Sequence, residues 1–132
     1  MLTITTKSPY AVRALAELAR RGDGAPVPIG EIARQRDIPV QFLEGLFATL
    51  RRAGILQSQR GVKGGYSFAR VPEKVTVLEV VELLEGELSS DCEGGEVWDE
   101  LLEAVRAVLG TKTIADVAEA EAQAAGAAMY YI

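Results

Sequence analysis

The chain has 132 residues, 48% of them hydrophobic and 25% charged, enough to bury one core and too apolar for a disordered segment. One cysteine and no histidine exclude an intrachain disulfide and a zinc site of the usual Cys/His kind, and remove the commonest general base. The net charge of −5 hides a split: residues 1–76 carry 12 Lys/Arg against 6 Asp/Glu, and residues 77–132 carry 2 against 13.

A basic front half suits an electrostatic footprint on nucleic acid, while the acidic rear half faces elsewhere. No apolar run approaches membrane-spanning length and no signal peptide opens the chain, so a cytoplasmic protein is expected. There is no phosphate-binding glycine loop between a strand and a helix, no nucleophile elbow and no metal-ligand spacing. An enzyme is not expected.

In chain order, Ser8-Pro9 reads as a helix start: a capping hydroxyl, then a proline whose missing N–H costs nothing in a first turn. Ala11, Ala14, Leu15 and Leu18 share one face, and Gly22-Asp23-Gly24 ends the helix. Ile29, Ile32 and Ala33 mark a short second helix, Asp37-Ile38-Pro39 a turn, and a third helix is expected over about 39–53. Its Leu43, Leu46, Phe47 and Leu50 recur at helical spacing and should be buried. The opposite side carries Gln41, Glu44, Gly45, Ala48 and Arg52. Glycine inside a helix costs about 1 kcal/mol relative to alanine. Here Gly45 and Ala48 make the outer face low enough to approach the floor of a major groove. Gln41 would bond adenine, Glu44 would accept from cytosine N4, and Arg51 and Arg52 would reach phosphates. Lys7, Pro39 and Val40 are counted with this candidate DNA surface.

A hairpin follows. Residues 56–59 and 66–68 mix apolar and polar side chains at roughly every second position, as two half-exposed strands would. Gly61, Gly64 and Gly65 between them permit positive φ and a tight reversal, leaving Arg60 and Lys63 at a narrow tip. Such a tip, with Gly64 in it, suits phosphates or the minor groove; ordinary solvated charges are the plainer alternative. Helix, short helix, tight turn, helix and hairpin is the order of a winged helix-turn-helix, which favours DNA.

In the rear half, Thr76-x-x-Glu79 is a capping box for a fourth helix with Val77, Val80, Val81 and Leu84 inward and Glu79, Glu82 and Glu85 outward. Residues 86–96 should be a loop. Trp98, Leu101, Leu102, Val105, Val108 and Leu109 then form a stripe broader than one small domain needs, which predicts pairing with the same helix of a second copy. A helix folded back wholly on its own domain is the alternative. Thr113-x-x-Asp116 caps an alanine-rich last helix expected to fade near Gly126, before an apolar tail of Met129, Tyr130, Tyr131 and Ile132. The fold class is therefore mainly α with a small β-hairpin. Residues 1–75 form a winged helix-turn-helix domain, and residues 76–132 a dimerisation and effector or partner region ending in the tail.

Particular residues sharpen this. They are Tyr10-Ala11-Val12-Arg13-Ala14-Leu15, Glu31-Ile32-Ala33, Phe42-Leu43-Glu44, Leu50-Arg51-Arg52-Ala53-Gly54, Val75-Thr76-Val77 and Thr113-Ile114-Ala115-Asp116. Most specific is Arg60-Gly61-Val62-Lys63-Gly64-Gly65-Tyr66, followed by Ala69-Arg70. With these the chain resembles the Rrf family of bacterial winged-helix transcriptional regulators over nearly its whole length. The resemblance implies a homodimer paired through its long penultimate helices, with two winged modules on a palindromic operator in double-stranded DNA. It places the family's base-contacting helix on Gln41, Phe42 and Glu44 and its minor-groove arginine on Arg60. Pro39 stands where the family often has a serine cap, and Gly45 where a longer polar residue is common, so the operator sequence does not carry over.

Cluster-binding members of that family have three cysteines before the dimer helix. Cys92 stands alone, between Asp91 and Glu93, which argues against a stable iron–sulfur cluster. No cofactor is expected. The Tyr-Tyr-Ile ending resembles that of the family's repressor of cysteine-metabolism genes, which works in complex with cysteine synthase. It implies a repressor of cysteine or sulfur genes whose residues Met129–Ile132 dock into cysteine synthase, the terminal carboxylate standing in for that of the amino-acid substrate. A tail packed on its own dimer is the alternative for those residues. Two other functions stay open: a redox, nitric oxide or iron sensor acting through Cys92, and a protein whose chief role is binding cysteine synthase through Ile132.

Overall fold

The computed structural model describes residues 4–88 and 95–130, with side chains described as far as Gly126. Helices α1 (Lys7–Arg21), α2 (Ile29–Arg36) and α3 (Val40–Arg52) lead into a hairpin of β1 (Leu56–Gln59) and β2 (Gly65–Phe68). A 3-10 turn at Pro72–Lys74 is followed by α4 (Val77–Glu85), α5 (Glu96–Thr111) and α6 (Ile114–Tyr130). The order is that of a winged helix-turn-helix with a helical rear half.

The apolar spacing of the first three helices is explained by one core. Ala11, Ala14, Leu15 and Leu18 of α1 pack with Ile32 and Ala33 of α2 and with Leu43, Leu46, Phe47 and Leu50 of α3. Val75, Val80 and Ile114 belong to the same cluster. Between α2 and α3, Asp37 takes the left-handed conformation (φ 53°), which aspartate tolerates better than most side chains. Ile38 N–H then donates to Ala33 O at 2.9 Å, and Pro39 stands at the start of α3 with no side-chain cap.

Three local expectations are corrected. Ser8 does not cap α1, which begins at Lys7 with no side-chain cap from Thr6. Instead the Ser8 hydroxyl donates to Glu85 Oε2 at 2.8 Å, and Thr5 donates to the same carboxylate through its N–H (2.7 Å) and its hydroxyl (2.9 Å). A carboxylate from the end of α4 thus sits at the positive end of α1, where unpaired N–H groups and the helix dipole favour an anion. The glutamates of α4 are accordingly not a solvated face. Glu79 pairs with Arg70 at 2.6 Å, and Glu82 lies 3.7 Å from Arg106. Finally, α6 runs on through Gly126 to Tyr130, because the alanine-rich sequence around the glycine has high helix propensity.

The two capping boxes form unequally. Thr113 and Asp116 exchange both bonds (2.9 and 3.1 Å), whereas Thr76 accepts from Glu79 N–H at 3.1 Å but the Glu79 carboxylate is taken by Arg70. Val77 N–H donates to Lys112 O and Ile114 N–H to Val75 O, each at 2.8 Å, so the starts of α4 and α6 are locked side by side.

Helix α6 lies on α1 and is tied to α2 through Arg36, the last residue of α2. Arg36 grips both oxygens of Glu121 (2.7 and 2.9 Å) and, through Nε, Glu17 of α1 (2.9 Å). Helix α5, by contrast, packs on α4 and buries no residue fully. Leu102, Val105 and Leu109 are half-buried, while Val97, Trp98, Leu101 and Val108 are 69, 51, 44 and 60% exposed. Among the described residues no helix is long and apolar enough to cross a membrane.

Candidate nucleic-acid interface

The outer face of α3 is built as its spacing requires. The four leucine and phenylalanine positions are buried, which turns Gln41, Glu44, Gly45, Arg51 and Arg52 into solvent. Nothing lies within 4 Å of where a Gly45 side chain would begin. Lys7, Gln41, Phe42, Gly45 and Thr49 line a shallow groove with Leu83 and Leu84 of α4, so Lys7 does sit beside the start of α3. Val40 is 41% exposed at the first turn. Phe42 differs from its neighbours: it is half-buried, with its ring edge-on to Tyr10 at 5.6 Å between centroids.

The hairpin is attached to the body through Tyr66. Its ring stacks edge-on with Phe47 at 5.1 Å, and its N–H and C=O form a two-bond bridge to Val27 (2.8 and 2.9 Å). A β-carbon on Gly65 (φ 151°) would lie 2.3 Å from the Val27 backbone, and one on Gly64 would lie 2.1 Å from Gln59 O. Gly65 therefore serves close approach to a distant segment and Gly64 close approach within the hairpin itself, while Gly61 (φ 112°, in open space) serves the turn through its backbone conformation. Gly64 N–H donates to Gly61 O at 3.0 Å, closing a four-residue turn with Val62 and Lys63 at its corners. The expected alternation along the strands is weak. Only Leu56 in β1 and Ser67 in β2 are buried, because a two-stranded ribbon leaves most of both faces in water.

Electrostatics sorts the cations. Arg20, Arg21, Arg36, Arg70 and Arg106 are paired with carboxylates. Among the described residues, Lys7, Arg34, Arg51, Arg52, Arg60 and Lys63 have no carboxylate partner. Arg51 donates to the Ser58 hydroxyl and Arg52 to that of Thr49, both at 3.3 Å. Phosphate oxygens outcompete such neutral, long contacts. The sequence reading did not single out Arg34, exposed on α2, or Val62. No sequence signal marked Arg34, because Glu31 stands three residues before it and only the structure shows that carboxylate taken by Arg21.

A family model described as "Rrf2: Iron-dependent Transcriptional regulator" matches residues 4–120. The chain belongs to the Rrf2 family. Its Rrf2 relatives include CymR, an HTH-type transcriptional regulator of Bacillus subtilis, 32% identical over 138 residues that span 99% of this chain and 100% of that protein. The solved structure of B. subtilis CymR superposes with a TM-score of 0.82, covering 90% of this chain and 98% of that one. T. potens IscR superposes at 0.81 with 35% identity, covering 93% and 90%. A Synechocystis protein is 42% identical over 87 residues, 66% of this chain and 59% of that protein.

These Rrf2 proteins are transcriptional regulators, not enzymes, and this chain is a DNA-binding transcriptional regulator with their winged-helix fold. The family description names iron, but one cysteine and no histidine per chain do not supply the several thiolates that hold an iron–sulfur cluster. Cys92, Tyr131 and Ile132 lie outside the described residues, as do the side chains of Met129 and Tyr130.

Proposed function

We propose that two copies of this chain form a cytoplasmic repressor of cysteine or sulfur-metabolism genes that binds a palindromic operator. Residues 1–75 are the DNA-binding part and residues 76–132 the dimerisation and partner part. Gln41 and Glu44 read base edges in the major groove, with Pro39, Val40 and Phe42 setting the pose of that first turn. Lys7, Arg51, Arg52 and Lys63 hold phosphates, and Arg60 enters the minor groove from a wing shaped by Gly64. The observation that carries this reading is the sorting of charge: Arg20, Arg21, Arg36, Arg70 and Arg106 are neutralised by carboxylates, while among the described residues the cations of α3 and the wing have no carboxylate partner and are left for an external anion.

Dimerisation through Trp98, Leu101, Leu102, Val105, Val108 and Leu109 is supported by a helix that buries none of them fully. It would hold two copies of α3 about one helical turn of DNA apart, roughly 34–36 Å. The assignment to cysteine genes is supported by the end-to-end likeness to CymR. On the same ground, residues Met129–Ile132 are proposed to dock into cysteine synthase.

Quantitative binding to genomic duplexes over a range of salt tests the DNA reading. Affinity should fall steeply with salt, and Arg60→Ala should weaken binding and lessen the slope by about one. A salt-independent affinity, or an unchanged Arg60→Ala, would refute it. Footprints with and without cysteine synthase, repeated after deletion of Tyr131 and Ile132, test the partner; binding to the synthase that survives the deletion removes it.

A further inference from the structure

We infer that Val62 makes the wing reject guanine, so that this one side chain gives the hairpin tip a preference for A·T pairs; the inference rests on the DNA reading above. Val62 is fully exposed, with a relative exposure of 104% against 69% for Val97 on α5. It packs on nothing in its own fold. A single apolar residue on a surface needs no explanation by itself, but its setting supplies one. The turn that carries it is closed by Gly64 N–H to Gly61 O, Gly64 lies so close to the Gln59 backbone of the same hairpin that no β-carbon fits, and at Gly65 the hairpin is seated equally closely on Val27. Val62 is thus held out at a fixed reach, between Arg60 and Lys63, neither of which has a carboxylate partner among the described residues.

Once those two cations meet phosphates or groove edges, the side chain between them lies against the groove interior. The walls there are deoxyribose C–H, which two methyl groups match. On the floor, A·T pairs offer only acceptors, and G·C pairs add the guanine N2 amino donor. The tip's side chains are a guanidinium, an ammonium and a pair of methyls, with donors for the A·T acceptors and no acceptor at all. The Gly61 carbonyl is turned across the hairpin tip to accept from Gly64 N–H. A guanine amino group beneath the Val62 methyls therefore loses its water and meets no side-chain acceptor, which is the costly half of hydrogen-bond exchange.

The test uses the full-length protein and a duplex it enriches from a random pool. The base pairs under the wing are those whose contribution is lost in Arg60→Ala. At each, adenine is replaced by 2,6-diaminopurine, which adds the minor-groove amino group and leaves the major-groove edge unchanged. Wild type should lose about ten-fold in affinity. Val62→Thr, close in shape but with an acceptor, should lose two-fold or less, each protein's penalty being taken relative to its own affinity for the unmodified duplex. Val62→Ile should keep the full penalty. Equal penalties in wild type and Val62→Thr, or no penalty in wild type, overturn the inference and leave the DNA reading standing. Failure to enrich any duplex overturns both.

Discussion

The tie between Arg36 and Glu121 joins the last helix to the helix-turn-helix, and its strength can be worked from its geometry. Three charge-assisted bonds of 2.7–2.9 Å converge on the Arg36 guanidinium, two from Glu121 and one from Glu17. The side chains are shielded: 14% exposed for Arg36, 13% for Glu17 and 27% for Glu121. Exposed pairs contribute up to about 1 kcal/mol, and breaking a buried pair costs about 3–5. Glu121→Ala should fall between, at about 2 kcal/mol, because Glu17 remains to neutralise Arg36. For a chain of this size that lowers Tm by roughly 7 °C. Urea denaturation of Glu121→Ala, Arg36→Ala and the double variant, at one protein concentration, gives the coupling directly. A coupling below about 0.5 kcal/mol would show that the fork is no stronger than an exposed surface pair, and would refute the reasoning.

Three further outcomes are expected. Gly65→Ala places a β-carbon into the Val27 backbone at a positive φ and should cost roughly 3 kcal/mol, read as Tm, with the wing amides losing protection from hydrogen exchange. For Glu85, burial pushes the carboxyl pKa up, but hydrogen bonds from Ser8 and Thr5 outweigh it and hold it below its ordinary 4.5. A folded pKa below the unfolded one stabilises above pH 4.5 and is lost as pH falls through the folded value. Urea midpoints measured from pH 6 down to 3 should therefore fall less in Glu85→Gln than in wild type; parallel curves would exclude the clasp at the start of α1. Leu101→Asp with Val108→Asp puts charge on the uncovered side of α5 and should yield monomers by sedimentation, with Tm within a few degrees of wild type measured as a monomer; a dimer that survives places the interface elsewhere.

The sequence carried the helices because their apolar spacing is local, and Leu43, Leu46, Phe47 and Leu50 could be read as buried before any tertiary contact was known. It carried the turn at Asp37 and the caps at Thr76 and Thr113 for the same reason. What it missed depends on residues far apart in the chain. Ser8 looked like a cap because its neighbours fit one, and the competing carboxylate comes from Glu85, at the end of α4. Gly65 looked like a turn residue, yet its lack of a side chain answers to the distant Val27. The candidate interface was legible as residue types, whereas the division between neutralised and uncommitted arginines required knowing that Glu121 reaches Arg36 and Glu79 reaches Arg70.

The seat of Tyr66 has one more consequence. Because a single residue anchors the hairpin both to α3, through Phe47, and to the segment before α2, through Val27, the hairpin and α3 keep a set spacing, like the fixed jaws of a caliper. If α3 and the wing take the wide and narrow grooves as proposed, a base pair inserted between those contacts moves one of them by about 3.4 Å along the axis and turns it around the helix. The protein has no joint there to follow it, so the adjustment must come from bending the DNA.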